Sequence, residues 1–227
     1  MNNFAFNSQL PLWSFRLKSS SKVQIITRKE IETRLFRQCF KDDSFRNELL
    51  ENPKTEIERM FDIVLPDGIS IQVLEETERE IYLVIPQNPY KEMSEIEIRE
   101  FLGIGVEEVA QLVLEQQTRP FTENKEKNAD LIAKVWKNPQ FKRLLISDPN
   151  LLLEQELSEK IDKSYTITVL EESAEQIFVV IPYLSDGIMD EKELQSSFIN
   201  LPMIVGSFKG TPVCTQHICF TTPQCGP

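Results

Sequence analysis

The chain has 227 residues, a formal net charge of −11, 27% charged residues and 41% hydrophobic residues. That length suits one or two ordinary domains. The acidic balance argues against a nucleic-acid partner bound through a basic surface, and favours solubility or a basic protein partner. No stretch approaches the ~20 apolar residues of a spanning helix, which excludes a membrane protein of that kind.

Residues 1–27 show no clear period. Phe4, Phe6, Leu12, Trp13, Phe15 and Leu17 are apolar, Ser19-Ser20-Ser21 interrupts them, and the segment reads as a loosely held arm. It lacks a charged start followed by an unbroken apolar run, so it is a poor secretion signal and points to a cytoplasmic body with reduced cysteines.

The first compact unit is expected over 28–90. A helix starts after Thr27, because Ile31, Leu35, Phe36, Cys39 and Phe40 recur at three to four residues. Cys39 on that stripe reads as a small buried hydrophobe. Phe45, Leu49 and Leu50 continue the pattern after Asp42-Asp43-Ser44. Asn52-Pro53 restarts the chain, with Asn as cap and Pro at the first helical position, and predicts a helix to about Phe61. Pro66-Asp67-Gly68 is a turn. Ile69, Ile71 and Val73 alternate as a strand, Glu75 to Arg79 turns, and Ile81 to Ile85 is read as the hairpin partner, stopped by Pro86.

Residues 91–128 are expected to hold a connecting helix and a linker. Met93 to Gln117 reads as one helix, weakened by Gly103 and Gly105, and Thr118 to Asn128 reads as a polar linker. The helix reads as a spacer between repeats or a partner-binding element.

The unit then returns over 129–206. Residues 131–182 align with 35–86 at a constant offset of 96, without a gap and with 15 identities in 52 positions. Phe141, Leu145 and Pro149 repeat Phe45, Leu49 and Pro53, and Asp148 stands in the capping place of Asn52. Val169-Leu170-Glu171-Glu172 repeats Val73-Leu74-Glu75-Glu76, and Val180-Ile181-Pro182 repeats Val84-Ile85-Pro86. Two copies of so long a unit indicate a duplicated domain, not a solenoid. The fold class expected is α+β: two copies of a helical segment followed by a β-hairpin, joined by a helix, with a disordered C-terminal tail. The paired carboxylates Glu75-Glu76 and Glu171-Glu172 fall at the turns, where solvated charge is expected in preference to acid–base work.

The tail, residues 207–227, reads SFKGTPVCTQHICFTTPQCGP. It holds three of the four cysteines, the single histidine His217 and one charged side chain, Lys209. Beyond Glu193 the chain has no acidic residue. Each cysteine follows a threonine: Thr211 before Cys214, Thr215 before Cys219, and Thr221 and Thr222 before Cys225. Three chemistries fit. Dehydrated threonines and cysteine thiolates close short thioether rings at little entropic cost. Cysteines and threonines also condense onto the preceding carbonyl to give thiazole- or oxazole-type rings, for which Cys214-Thr215 and Thr221-Thr222 are suited. Finally, Cys214, His217, Cys219 and Cys225 form a chemically plausible zinc set, although their spacing matches no paired C-x-x-C knuckle. The Thr–Cys spacing favours the first. A Cys–His catalytic dyad is disfavoured, since the tail shows no rigid support.

The repeated phrases Phe45-Arg46-Asn47-Glu48-Leu49-Leu50-Glu51-Asn52-Pro53 with Ile71 to Pro86, and Phe141 to Pro149 with Ile167 to Pro182, resemble nitrile-hydratase-like leader peptides. These belong to the proteusin-type precursors of ribosomally made, modified peptides, and are themselves similar to the alpha subunit of nitrile hydratase. The sequence departs from that pattern in carrying the unit twice. It also departs from the hydratase in lacking a C-x-x-C-x-C metal cluster anywhere. The resemblance implies a precursor that is a substrate and not an enzyme, with no cofactor. A modifying enzyme of the lanthipeptide synthetase or cyclodehydratase type would dock on the body. It would alter Thr211, Cys214, Thr215, Cys219, Thr221, Thr222 and Cys225. A leader peptidase or exporter would cut near Gly206 and Ser207, which lack the double glycine usual at such cuts, and the mature peptide would be secreted. The alternative is a nitrile hydratase alpha-related or small metal-binding protein that acts intact, and a third possibility is an interaction module with an inert tail.

Overall fold

The computed structural model describes residues 14–16, 25–117, 124–157 and 160–183. A short antiparallel pair, β1 (Ser14–Arg16) and β2 (Ile25–Thr27), leads into three helices, α1 (Arg28–Lys41), α2 (Asp43–Glu51) and α3 (Pro53–Phe61). Strands β3 (Ser70–Glu75) and β4 (Glu80–Ile85) follow. Then come α4 (Glu95–Leu102) and α5 (Val106–Leu114). The second copy supplies α6 (Lys125–Lys137), α7 (Pro139–Ser147), α8 (Pro149–Leu157), β5 (Thr166–Glu171) and β6 (Gln176–Ile181). The class is α+β with a duplicated helix–strand unit, as the repeat predicts.

Local chemistry sets the helix ends. Thr27 caps α1 by accepting the Glu30 N–H at 3.2 Å. Asp42 ends α1 and starts α2, its carboxylate accepting the Phe45 N–H at 3.0 Å. In the second copy Asn138 does the same work for α7, accepting from the N–H groups of Gln140 and Phe141. Pro53 and Pro149 occupy first helical positions, where the missing N–H costs nothing. Asn52 stands at the cap position of α3 but makes no side-chain bond there.

Three details differ from the sequence reading. The stretch Met93 to Gln117 is two helices, because Gly103 adopts φ +74° and closes α4 in a left-handed cap. Ser94 and Glu97 form a full capping box at its start. Helix α6 begins at Lys125, inside the stretch read as linker, with Asn124 accepting the Lys127 N–H at 3.0 Å. The third difference is the largest. β3 and β4 lie where expected but do not form a hairpin with each other. β3 pairs in parallel with β6, and β4 pairs in parallel with β5.

The four-residue connection Glu76–Arg79 is therefore an arch that passes the chain from one strand pair to the other. Apolar continuity explains the choice. β6 is buried at every position from Ile177 to Ile181, the pattern of a strand covered on both faces, which suits parallel pairing better than a half-solvated hairpin. The pairing is two-fold symmetric. Ser70 sits opposite Gln176, and their counterparts in the other copy, Thr166 and Glu80, sit opposite each other.

The halves are consequently interlocked. The first-copy helices pack Ile31, Leu35, Phe36, Cys39, Phe45, Leu49, Ile57 and Phe61 against Val73 of β3 and against Val179 and Ile181 of β6. The second-copy helices pack against Leu83 and Ile85 of β4 and Ile167 of β5, and α4 and α5 add Ile98, Val106, Val109, Ala110 and Val113 to that core. Each core contains strands from both copies.

The tail 207–227, the junction at Gly206 and Ser207, and the arm 1–13 lie outside the described residues, and with them the expectation of a disordered tail.

Candidate functional site

The strongest concentration of buried charge lies at the seam between the halves. Arg28 is the first residue of α1 and is 6% exposed. Its Nε donates to Glu32 Oε1 at 2.6 Å, one helical turn on. Its Nη1 donates to Glu172 Oε2 at 2.8 Å, and its Nη2 donates to the Phe178 carbonyl at 2.9 Å. Burial works against the guanidinium charge, and Glu32 and Glu172 outweigh it, so the pKa of Arg28 is raised and the group stays charged. A first-copy helix is thereby fastened to a second-copy arch and strand.

Glu172 belongs to the arch between β5 and β6. Its Oε1 accepts the Phe178 N–H at 3.1 Å and its Oε2 takes Arg28. In the other arch Glu76 accepts the Tyr82 N–H at 2.9 Å, the identical contact at the offset of 96. The backbone repeats the pattern: the Glu76 N–H donates to the Ile181 carbonyl and the Glu172 N–H to the Ile85 carbonyl, both at 2.9 Å. The expectation that these carboxylate pairs are solvated therefore holds for Glu75 and Glu171 only. Glu76 and Glu172 are 4% and 3% exposed. An arch removes strand residues from a ladder, and the carboxylate supplies the acceptor that the N–H would otherwise lack. The signal for this was in the sequence: within the two arches, 76–79 and 172–175, the first position is Glu in both and is the one identity between them, followed by Thr or Ser.

The cluster is suited to fastening, not catalysis. Both oxygens of Glu172 are engaged, and Arg28 spends its fork on two carboxylates and a carbonyl. Among the described residues no group of three or more His, Cys, Asp or Glu side chains is arranged to hold a metal ion. Cys39 is a free thiol, 1% exposed, and burial pushes its pKa up to about 12. It is the inert core residue its position on the stripe suggests. No helix among the described residues is long and apolar enough to cross a membrane.

The sequence-predicted modification residues Thr211, Cys214, Thr215, Cys219, Thr221, Thr222 and Cys225, and His217 of the alternative zinc set, lie outside the described residues.

A surface asymmetry accompanies the seam. Leu144 and Leu151 are 57% and 53% exposed on α7 and α8. The corresponding first-copy positions carry Glu48 and Thr55, and Glu48 there pairs with Arg59 at 3.8 Å.

No family model and no curated protein matches the chain. Among solved structures it is similar to a double histidine mutant of the Fe-type nitrile hydratase from Comamonas testosteroni Ni1, at 16% identity and a TM-score of 0.44, covering 78% of this chain and 69% of that one. It is also similar to a mutant of thiocyanate hydrolase, at 12% identity and a TM-score of 0.42, covering 86% of this chain and 82% of that one. These neighbours are hydratase and hydrolase chains, and none is a peptide precursor. The reading of the chain as a leader with a lanthipeptide-type core peptide is corrected accordingly. The two units that reading treated as separate leaders are halves of one body, each completing the other's strand pairs.

Proposed function

We propose that the chain acts whole, as a nitrile hydratase-related protein whose duplicated body is a binding scaffold and not a catalyst. The observation that supports this is the exchange of strands between the copies, β3 with β6 and β4 with β5. A body so interlocked keeps its shape only with both halves present, and its buried ionic fastener lies across their seam. The absence of a C-x-x-C-x-C run from the whole sequence supports a role other than metal-dependent hydration. The net charge of −11 and the exposed Leu144 and Leu151 of the second copy support a protein partner with a basic rim around an apolar contact.

The test is an intact-mass measurement on protein from its native host, joined to metal analysis and a nitrile-hydration assay with added iron or cobalt. The expected result is a full-length, unmodified chain without stoichiometric metal or hydration activity. Metal at one equivalent with turnover would replace the scaffold reading with an enzymatic one. A chain cut after the second copy would overturn action as a whole.

A further inference from the structure

The chain's negative charge is unevenly placed among its helices. Helices α1–α3, residues 28–61, carry eight residues of each sign and are balanced. Residues 139–157, which include Leu144 and Leu151, set Lys142 and Arg143 against Asp148, Glu154 and Glu156, a net −1. Residues 91–117 set seven glutamates against Lys91 and Arg99, a net −5 of the chain's −11. The acidic field therefore belongs to α4 and α5. Lys137 of α6 offsets part of it, donating to Glu95 at 3.2 Å and to Glu107 at 2.6 Å. Glu97, Glu100, Glu108 and Glu115 have no lysine or arginine partner among the described residues. The Ser94 N–H and hydroxyl hold the Glu97 carboxyl below its ordinary range, so it is charged at neutral pH.

Large apolar side chains stand among these carboxylates. Ile96 and Phe101 are 70% and 67% exposed. At about 100° per residue, Ile96, Glu100, Glu97 and Phe101 succeed one another around the solvent side of α4, and buried Ile98 marks its core side. Ile96 with Glu100, and Glu97 with Phe101, are neighbours one turn apart. On α5 the exposed Leu112 has Glu108 one turn before it and Glu115 one turn after. Both helices thus repeat one pattern, an outward apolar side chain with a carboxylate at helical spacing. Its complement is a helix with apolar residues and lysines or arginines at the same spacing. The carboxylates repel an anionic lipid surface and a phosphate backbone alike.

We propose that the outward side of α4 docks a basic amphipathic helix of another protein. Ile96 and Phe101 meet its apolar stripe, Glu97 and Glu100 meet its lysines or arginines, and the α5 carboxylates add to the attractive field. This names the partner chemistry of the scaffold reading and rests on that reading, but the surface is separate from Leu144 and Leu151.

The test is fluorescence anisotropy on the full chain. The probe is a fluorescein-labelled amphipathic helix of leucines and lysines, and its scramble is the control. The probe should bind more tightly than the scramble, and added salt should weaken it. Phe101→Glu and Ile96→Glu should each weaken binding at least about tenfold, although the added charge strengthens any general attraction between net charges. Glu100→Lys should weaken it about three- to tenfold, and Leu144→Glu should leave it unchanged. Unchanged urea midpoints establish that the variants fold. Equal binding of probe and scramble, or Phe101→Glu binding as tightly as the parent, would overturn the docking site. Loss of binding in Leu144→Glu alone would move the contact to α7, overturning this site and leaving the scaffold reading in place. Metal with turnover would overturn the scaffold reading whatever the peptide does. A dimer in sedimentation that Phe101→Glu dissociates would make a second copy the occupant and overturn the basic partner.

Discussion

Replacing Arg28 by Met tests the seam most directly. The side chain is buried and donates to Glu32, to Glu172 and to the Phe178 carbonyl at 2.6, 2.8 and 2.9 Å. Met fills much of the same volume, so the cavity contribution is small. What remains are the buried carboxylates of Glu32 and Glu172 without that cation beside them. Removing one partner of a buried ion pair costs about 3–5 kcal/mol, a drop of roughly a thousandfold in the folded-to-unfolded ratio at the midpoint of that range. Urea unfolding at neutral pH, followed by circular dichroism with an unchanged slope, measures it. A further variant separates charge from packing. Adding Glu172→Gln to Arg28→Met removes one buried charge and should restore part of the loss. A loss below about 1 kcal/mol would refute the view that the triad holds the halves together.

Leu49→Ala and Leu145→Ala sit at equivalent, fully buried positions of the two copies; each should cost about 2–5 kcal/mol in a single shared urea transition, and two separate transitions would contradict the interlocked architecture. Glu76→Ala strands the Tyr82 N–H and should cost about 1–3 kcal/mol, read by thermal unfolding, whereas Glu75→Ala should be nearly neutral. Cys39, with its pKa pushed up to about 12, should resist iodoacetamide at pH 8 in the folded protein and react once urea unfolds it; rapid native-state alkylation would contradict its burial. Lys137 holds the Glu107 carboxyl below its ordinary value of 4.5, so this pair's stabilisation is present above that value and lost as the pH falls through the lowered one. Lys137→Met should therefore remove a small increment at pH 7, within about 1 kcal/mol given its exposure, and none under acid conditions, as paired melting curves would show.

The helices were legible because their signals are local. Period, caps and the Asn52-Pro53 junction placed the start of α1 and both ends of α3, and the repeat carried the helical pattern into the second copy. The duplication was legible because it is gapless. The pairing of the strands was not, because a four-residue link between two strands suits a hairpin as well as an arch, and the choice is made by residues far along the chain. A clue was present in Ile177–Ile181, whose unbroken apolar run lacks the alternation of a half-solvated strand. The burial of Glu76 and Glu172 was hidden for the same reason: a carboxylate at a hairpin turn is solvated, and only the arch turns it inward to meet a strand N–H. Arg28 was missed because its partner Glu172 lies 144 residues away. The precursor reading failed at that same step. It treated the two units as separable, and local patterns carry no information on whether copies stand apart or complete one another.

The parallel exchange of strands also imposes an order on synthesis. β3 and β4 leave the ribosome before the residues that will pair with them exist, since Ile85 precedes Thr166 by 81 positions. At typical elongation rates the gap lasts about 4–16 seconds. Through that interval two apolar strands present open edges, the kind of surface that recruits strands from neighbouring chains. Ribosomes that stall inside α6 would release a product with a complete set of first-copy helices and no partner for either strand. Such fragments, more than the finished protein, are the species that should engage chaperones and proteases.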